Sequence, residues 1–439
     1  MRPFKNIYHT MPDGTLKHIN PLTGTEVWTV PDRAHRPLNK AIHQPQPLQT
    51  ANPENYCDFC QTNYLKTPPE KNRLIQTPEG KYEKLSHLAP DQLTNTKAVF
   101  RRVANLFEIV TLDYWLKNHG FKISDVQSKW QKDYLNHPQG LEHVLQITSN
   151  KLKLIGRTPE ELDKMPQAEK LRFAESFFAG GHELIIAQKH FKPGAQLDTD
   201  LVSSGELTNH EHYQYFLYTI DALIDIYANN RFVRYVTVFQ NWLQPAGASL
   251  EHLHRQLVGI DEWGVSIESE LEIVSENPNI YNEALINFSI DQNLVVAEND
   301  QAVAIAELGH RFPTLVVYSK SKQVRPEEHS PEEVKGVSDL IHACHAASGN
   351  QVPCNEEWYY TPRDSKVLMP WHILIKWRTN NEAGFEGGTK IYINPVSPIA
   401  MKTLLIPRLQ DLSQQGKIQN IKIGDECQTQ HNPLLYGKK

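Results

Sequence analysis

Apolar and polar positions along this chain fall into blocks of two periodicities. The runs Arg234 to Phe239 and Gln256 to Ile260 are β-rich and flank a small-residue loop, Ala246-Gly247-Ala248-Ser249. Each is read as a strand, and so are Phe100 to Val110 and Glu183 to Ala187. Over 207–230, Tyr213, Phe216, Leu217, Ile220, Leu223, Ile224 and Tyr227 recur at helical spacing behind a Thr208/Glu211 capping box, a stripe that predicts core packing against a sheet. From about 111 to 178 the chain turns polar and helical, and Thr158-Pro159-Glu160-Glu161 is a capping box with Pro at the first helical position. That stretch carries no assignable chemistry. A lid or an oligomer contact is open to it, with a solvated decoration as the default.

After residue 290 the order recurs. Thr314 to Tyr318 answers Glu183 to Ala187, and Ser330-Pro331-Glu332-Glu333 opens a capped helix whose apolar face is Val334, Val337, Leu340, Ile341 and Cys344. Glu357 to Thr361 and Trp371 to Lys376 then answer the two strands around the small-residue loop. The series strand, helix, strand, strand occurring twice predicts duplicated α+β units, residues 1–275 and 290–439, with the helical insertion at about 111–178. Ser397-Pro398 starts a C-terminal helix, expected to be interrupted near Pro407.

A chain of 439 residues has ample material for a buried core. The formal charge of −6 argues against general nucleic-acid binding, which wants a basic excess. Anionic small substrates must then be met by a few placed basic groups. No run approaches a membrane span and the first residues lack an apolar signal core, so membrane association and secretion are not expected. The five cysteines, an odd number, suit a reducing cytoplasm without disulfides.

Candidate chemistry centres on Asn241 to Gln256, NWLQPAGASLEHLHRQ. With period-two alternation, His252, His254 and Gln256 share one face while Leu253, Arg255 and Leu257 take the other. Two imidazoles and an amide beside a Gly/Ser loop, whose N–H groups can approach an anion, make a candidate phosphoryl-group site. Taken alone, HxH is more often two ordinary histidines on a polar face. Cys57 and Cys60 alone have chelating spacing, either as a redox pair or as half of a metal site that needs two further N or S ligands. His342, Cys344 and His345 do not converge on a helix, and Cys344 fits its core face. Near the N-terminus, turn residues Asn20, Pro21, Thr23 and Gly24 precede a short strand, Glu26 to Val30, and a loop with Arg33 and Arg36.

The spaced set Asn241, Gly247, Ser249, His252, His254 and Gln256 resembles the active-site motif of galactose-1-phosphate uridylyltransferase and its relatives, a branch of the histidine-triad superfamily. That resemblance implies duplicated half-barrels, with antiparallel sheets and packed helices. It also implies a structural zinc held by Cys57, Cys60, His190 and His252. Asn20-Pro21-Leu22-Thr23-Gly24 and the arginines after it resemble the family's N-terminal signature, which implies a phosphate role for Arg33 and Arg36. Such a role suits a guanidinium fork. Asn105 and Phe107 resemble a segment lining the nucleotide pocket, with Leu106 departing from the family's pattern. Phe385 and Glu386 resemble a segment that reaches the sugar across a subunit interface, which implies a homodimer. Only the first half keeps HxHxQ. The second has His372-Ile373-Leu374, so a second metal site is not expected.

The residues permit a two-step nucleotidyl transfer. A neutral imidazole, His254, attacks phosphorus and holds the nucleotidyl group, while Ser249 and the Gly247 loop bind phosphate oxygens. Gln256, which cannot act as an acid, suits a leaving group that is already a stable anion. The partners expected are a nucleotide sugar and a sugar phosphate, with no nucleic acid and no membrane. UDP-glucose with galactose 1-phosphate leads by resemblance alone. A nucleotide or NDP-sugar phosphorylase or hydrolase, and a zinc-stabilised nucleotide-binding protein without turnover, are the alternatives.

Overall fold

The turn after the second strand shows how local chemistry shapes this chain. Asn20 Oδ1 accepts the N–H groups of Leu22 and Thr23 at 2.9 and 3.0 Å, a side chain standing in for a backbone acceptor. It joins β2 (Leu16–Ile19) to β3 (Glu26–Thr29), and β1 (Tyr8–Thr10) precedes them. The computed structural model describes residues 7–31, 44–49, 52–379 and 381–438, so Arg33 and Arg36 lie outside the described residues. Next come β4 (Glu70–Gln76), β5 (Tyr82–Ser86) and β6 (Ala98–Ala104). The strand expected to run to Val110 stops at Ala104. Asn105 Oδ1 takes the N–H of Phe107 at 2.9 Å and turns the backbone out of the ladder.

The helical insertion holds α1 (Leu112–His119), α2 (Asp125–Asn136), α3 (Pro138–Leu154), α4 (Pro159–Lys164), α5 (Gln167–Phe173) and α6 (Glu175–Ala179). It is not a solvated decoration. Trp130, Tyr134, Val144, Ile147, Phe177 and Phe178 form a buried cluster of their own, with Leu106 packed against it. Leu106, the residue that departs from the family's pattern, thus anchors the insertion behind the Asn105 turn.

Then follow β7 (His182–Ala187), α7 (Asn209–Asn229), β8 (Tyr235–Trp242) and β9 (His254–Ile260). After α8 (Val265–Glu276), a π-helical turn at Tyr281–Asn287 and α9 (Phe288–Asp291), the second series begins. It consists of β10 (Val295–Glu298), β11 (Ala302–Glu307), β12 (Thr314–Ser319), α10 (Pro331–Ser348), β13 (Cys354–Tyr359) and β14 (His372–Trp377). The chain ends with α11 (Gly384–Thr389), β15 (Ile391–Ile393), α12 (Pro398–Gln414) and β16 (Lys422–Ile423). The expected break in α12 does not occur, and the helix runs through Pro407. Met401, Leu405 and Leu409 are buried on one side across that point, so packing holds both turns where local chemistry alone would part them.

Two sheets result. β1, β2, β3 and β15 form the small one, with β15 parallel to β3. The other twelve strands form one sheet in the order β16-β10-β11-β12-β14-β13-β8-β9-β7-β6-β4-β5. Read outward from its middle, β8-β9-β7-β6-β4 mirrors β13-β14-β12-β11-β10, and α7 stands before β8 as α10 stands before β13. This is the duplicated α+β architecture. Both series share one continuous sheet and one main core.

The two faces of β9 differ. Arg255 points toward α7, where its guanidinium lies 4.1 Å from the ring of Tyr215 and 4.8 Å from that of Phe216. His254 and Gln256 therefore face away from the helices. Across the seam Arg255 donates to Glu356 Oε1 of β13 at 2.7 Å, and both side chains are fully buried. His345 of α10 and Trp358 of β13 close the same carboxylate at 2.8 and 2.7 Å. His342 Nε2–H donates to the Leu207 carbonyl at 2.7 Å, so the two α10 histidines are committed to the fold.

Candidate functional site

Four side chains from three segments meet at one end of β9. Cys57 and Cys60 come from the loop before β4, His190 from the loop after β7, and His252 from just before β9, and their donor atoms all lie within 4.8 Å of one another. The sulfurs are 3.8 Å apart. His190 Nδ1 is 3.4 and 3.5 Å from Cys57 and Cys60, and His252 Nδ1 is 3.4 and 4.0 Å from them. A tetrahedral zinc with its ordinary bond lengths requires edges of about 3.8 Å between sulfurs and about 3.6 Å between sulfur and nitrogen. The donor set fits such an ion.

The tautomer fits as well. His252 Nε2 lies 2.7 Å from the Ala187 carbonyl and donates to it, which leaves Nδ1 unprotonated toward the thiols. Cys57 holds Cys60 toward the thiolate by hydrogen bonding, against the effect of burial, while the Cys57 thiol is correspondingly raised. We expect Cys60→Ser to lower bound zinc from about one per chain to well below half, as metal analysis after dialysis would show. Full zinc retention in that variant would mean the cluster is not the metal's seat.

Phe59, between the two cysteines, carries the cluster's order to the next residue. Its ring lies 6.1 Å from that of His252 and 5.2 Å from that of His254, edge-on to both. His254 Nδ1 is 2.7 Å from the His252 carbonyl and donates to it. Nε2 is then the lone-pair nitrogen, and it has no hydrogen-bond partner among the described residues. Burial holds the His254 imidazolium down to about 4, with the His252 carbonyl opposing that shift. At neutral pH the ring is a free base aimed by its own backbone.

The loop before it is built more tightly than its composition suggests. Leu243 has φ +66°, rare for a side chain of that kind, and Gly247 has φ +90°, which glycine supplies without strain. A single 3₁₀ turn, Gln244–Ala246, uses the N–H groups of Gly247 and Ala248 internally, on the carbonyls of Gln244 and Leu243. Within the loop expected to meet phosphate, the Gly247 and Ala248 N–H groups are thus spent on the turn itself. Gly247 shapes the turn, while the N–H groups of Ser249, Leu250 and Glu251 and the exposed Ser249 hydroxyl carry no hydrogen bond among the described residues. Asn241 is fixed from the other half. Asn355 of β13 donates to Asn241 Oδ1 at 2.7 Å and to the Ala246 carbonyl at 2.8 Å.

Gln256 sits two residues beyond His254 on the same face. Its Oε1 lies 3.0 Å from His182 Nε2 and 3.4 Å from Asn105 Nδ2. Sequence reasoning missed His182 and Asn355, because a lone His opening a strand and a lone Asn in another carry no spacing signal. Phe107 is exposed beside Asn105. Phe385 and Glu386 are not brought to this cluster. They lie on α11 beside the small sheet, where Phe385 is 6.4 Å from Trp28 and Glu386 Oε2 takes the N–H of Ala383 at 3.1 Å. An adjoining cleft of about 320 Å³ on the His254 face is lined by Phe239, Asn241, Trp263, Glu357 and Tyr359, among others.

The chain as a whole is similar to known proteins. ADP-glucose phosphorylase of Arabidopsis thaliana is 24% identical over 264 residues, which is 58% of this chain and 71% of that protein. The crystal structure of an ADP-glucose phosphorylase from the same plant, with bound ADP-glucose, superposes with a TM-score of 0.55 at 17% identity, over 89% of this chain and 97% of that one. A galt-like protein from Arabidopsis thaliana gives 0.50 at 16% identity, over 80% and 92% of the two chains. The fold is shared with these ADP-glucose phosphorylase and galt-like structures. A family model described as a domain of unknown function, DUF4921, matches residues 11–436, and the chain belongs to that family.

Proposed function

We propose that this protein transfers a nucleotidyl group from an NDP-sugar to a phosphate acceptor through a covalent nucleotidyl-histidine on His254. The observation that carries the reading is the state of that ring: neutral, with Nδ1–H tied to the His252 carbonyl and Nε2 unpartnered among the described residues.

In the first step Nε2 forms a bond to the α-phosphorus, and the bond from that phosphorus to the bridging oxygen breaks. Sugar 1-phosphate leaves with the electron pair, an anion that needs no proton. Positive charge growing on the ring is met by the His252 carbonyl, while the Ser249 hydroxyl and the free N–H groups of 249–251 meet the phosphoryl oxygens. In the second step an acceptor phosphate oxygen bonds to phosphorus, the P–N bond breaks, and the ring returns neutral. A zinc held by Cys57, Cys60, His190 and His252 supplies no reacting group. With two thiolates its charge is balanced, and its part is to keep His252, and so the carbonyl that aims His254, in place.

The acceptor separates two readings. Inorganic phosphate gives a phosphorylase, favoured by the similarity to ADP-glucose phosphorylase over 71% of that protein. A hexose 1-phosphate gives a uridylyltransferase-like exchange, the reading of the sequence motif. Either is compatible with the sugar lying over the cleft beside Phe239 and Glu357. Phe385 and Glu386 would then serve from a second copy in a homodimer, and Arg33 and Arg36 would serve the phosphates.

The test is label from ADP-glucose or UDP-glucose carrying ³²P at the α-phosphate. Protein-bound label that survives base, is released by acid and is discharged by inorganic phosphate or a hexose 1-phosphate is the expected result. Nucleotide that binds tightly yet never becomes covalent would sink the reading and leave a binding protein.

A further inference from the structure

Gln256 has an amide whose two ends look alike in shape but offer opposite chemistry. Its oxygen accepts and its NH₂ donates, so which end faces the phosphoryl group decides whether it attracts or repels. We propose that His182 is a positioning residue that fixes this choice, holding Gln256 with its NH₂ toward the substrate. The inference rests on the nucleotidyl-transfer reading of the His254 face.

The geometry allows one assignment. The backbone N–H of Ile109 points at His182 Nδ1 at 3.1 Å, and a backbone N–H can only donate. Nδ1 is therefore the acceptor, and in a neutral ring the proton sits on Nε2. The ring is 1% exposed, and burial holds its pKa down to about 4 against the pull of the Gln256 bond and Glu183. Nε2–H thus donates to the Gln256 atom 3.0 Å away, which must be the oxygen Oε1. Asn105 adds a second donor. Its own oxygen is taken by the Phe107 N–H, so its NH₂ is the end turned inward, 3.4 Å from Gln256 Oε1 and 3.0 Å from His182 Nε2. With Nδ1 already accepting from Ile109, that Nε2 carries the ring proton, and Gln256 Oε1 is the one acceptor between the two donors.

With Oε1 held from that side, the Gln256 NH₂ is left without a partner among the described residues. It sits on the face of β9 that carries His254 Nε2. The same imidazole also ties the site to the helical insertion. Ile109 lies between the Asn105 turn and α1, whose Leu112 N–H is taken by Glu108 Oε2 at 3.3 Å.

Four proteins test this: His182→Leu, His182→Gln, Gln256→Ala and the double variant His182→Leu/Gln256→Ala. His182→Gln places an N–H near the position of Nε2. The readout is the rate of label transfer from α-³²P ADP-glucose, with thermal unfolding as the check on folding. His182→Leu should lower the transfer rate about 10- to 100-fold, the scale of one misplaced oxyanion donor, with apparent affinity for ADP-glucose changed less than about threefold. His182→Gln should recover most of that loss. In the Gln256→Ala background His182→Leu should add nothing, because the residue acts through the amide.

Multiplicative losses in the double variant, or His182→Gln no better than His182→Leu, would overturn the proposal in favour of a merely structural ring. If the wild type takes no label at all, the transfer reading fails, and this proposal, which rests on it, falls with it.

Discussion

His254→Ala is expected to lower nucleotidyl transfer by at least about 10⁴-fold and to abolish protein-bound label, the scale seen when a covalent nucleophile is removed. Among the described residues, no other nitrogen on that face is both deprotonated toward the open side and aimed by its own chain. The structure provides an internal control. His372 opens β14 opposite Tyr318 as His254 opens β9 opposite Ile186, and its Nδ1 is 2.9 Å from the Pro370 carbonyl two residues back. Its surroundings differ. Tyr318 and Tyr359 stack on either side at 5.0 and 5.3 Å, Tyr281 lies 5.5 Å away, and Nε2 is 3.8 Å from Glu270. His372→Ala should therefore leave the transfer rate within about threefold, measured on protein shown to be folded. Loss of label in His372→Ala alone, with His254→Ala still labelled, would assign the chemistry to the wrong half.

The second large effect concerns stability. Glu356→Ala should destabilise the protein by about 3–5 kcal/mol, because it leaves the Arg255 guanidinium buried without its counter-charge. Burial opposes ionisation of Glu356, but Arg255 and the His345 bond outweigh it and hold the carboxyl down to about 2. A depressed carboxylate contributes stability above its unfolded pKa, and that contribution is lost as pH falls through the folded value. The gap between wild type and Glu356→Ala in urea titrations should thus be full above about pH 5 and shrink as pH approaches 2. A gap that stays level across that window would show that the pair is not ionised as a unit. Replacing Arg255 and Glu356 together by apolar residues of similar volume should recover part of the loss.

Much of the frame was legible in the chain itself. Thr208/Glu211 and Ser330/Glu333 each close a capping box at the start of a long helix, because both halves of that device lie within four residues. The CxxC and the HxHxQ spacing pointed to residues the fold does bring together, Cys57 and Cys60 beside His252, for a related reason: a strand or a tight turn converts spacing directly into geometry. Where partners are far apart in sequence, nothing local marks them. His182 meets Gln256 across 74 residues, and Arg255 meets Glu356 across 101. Asn105 misled in the other direction, since its side chain ended a strand that composition alone would have continued. Pro407 did likewise, because the packing that keeps α12 whole is tertiary.

The seam between β8 and β13 carries a consequence of its own. A pair of identical, separately encoded modules would be obliged to keep two working centres, since any change strikes both. Covalently joined, each half can diverge alone, and only the first keeps HxHxQ. Asn355, reaching over from the other half to clasp Asn241 and the Ala246 carbonyl, shows one half bracing the loop of its neighbour at atomic scale.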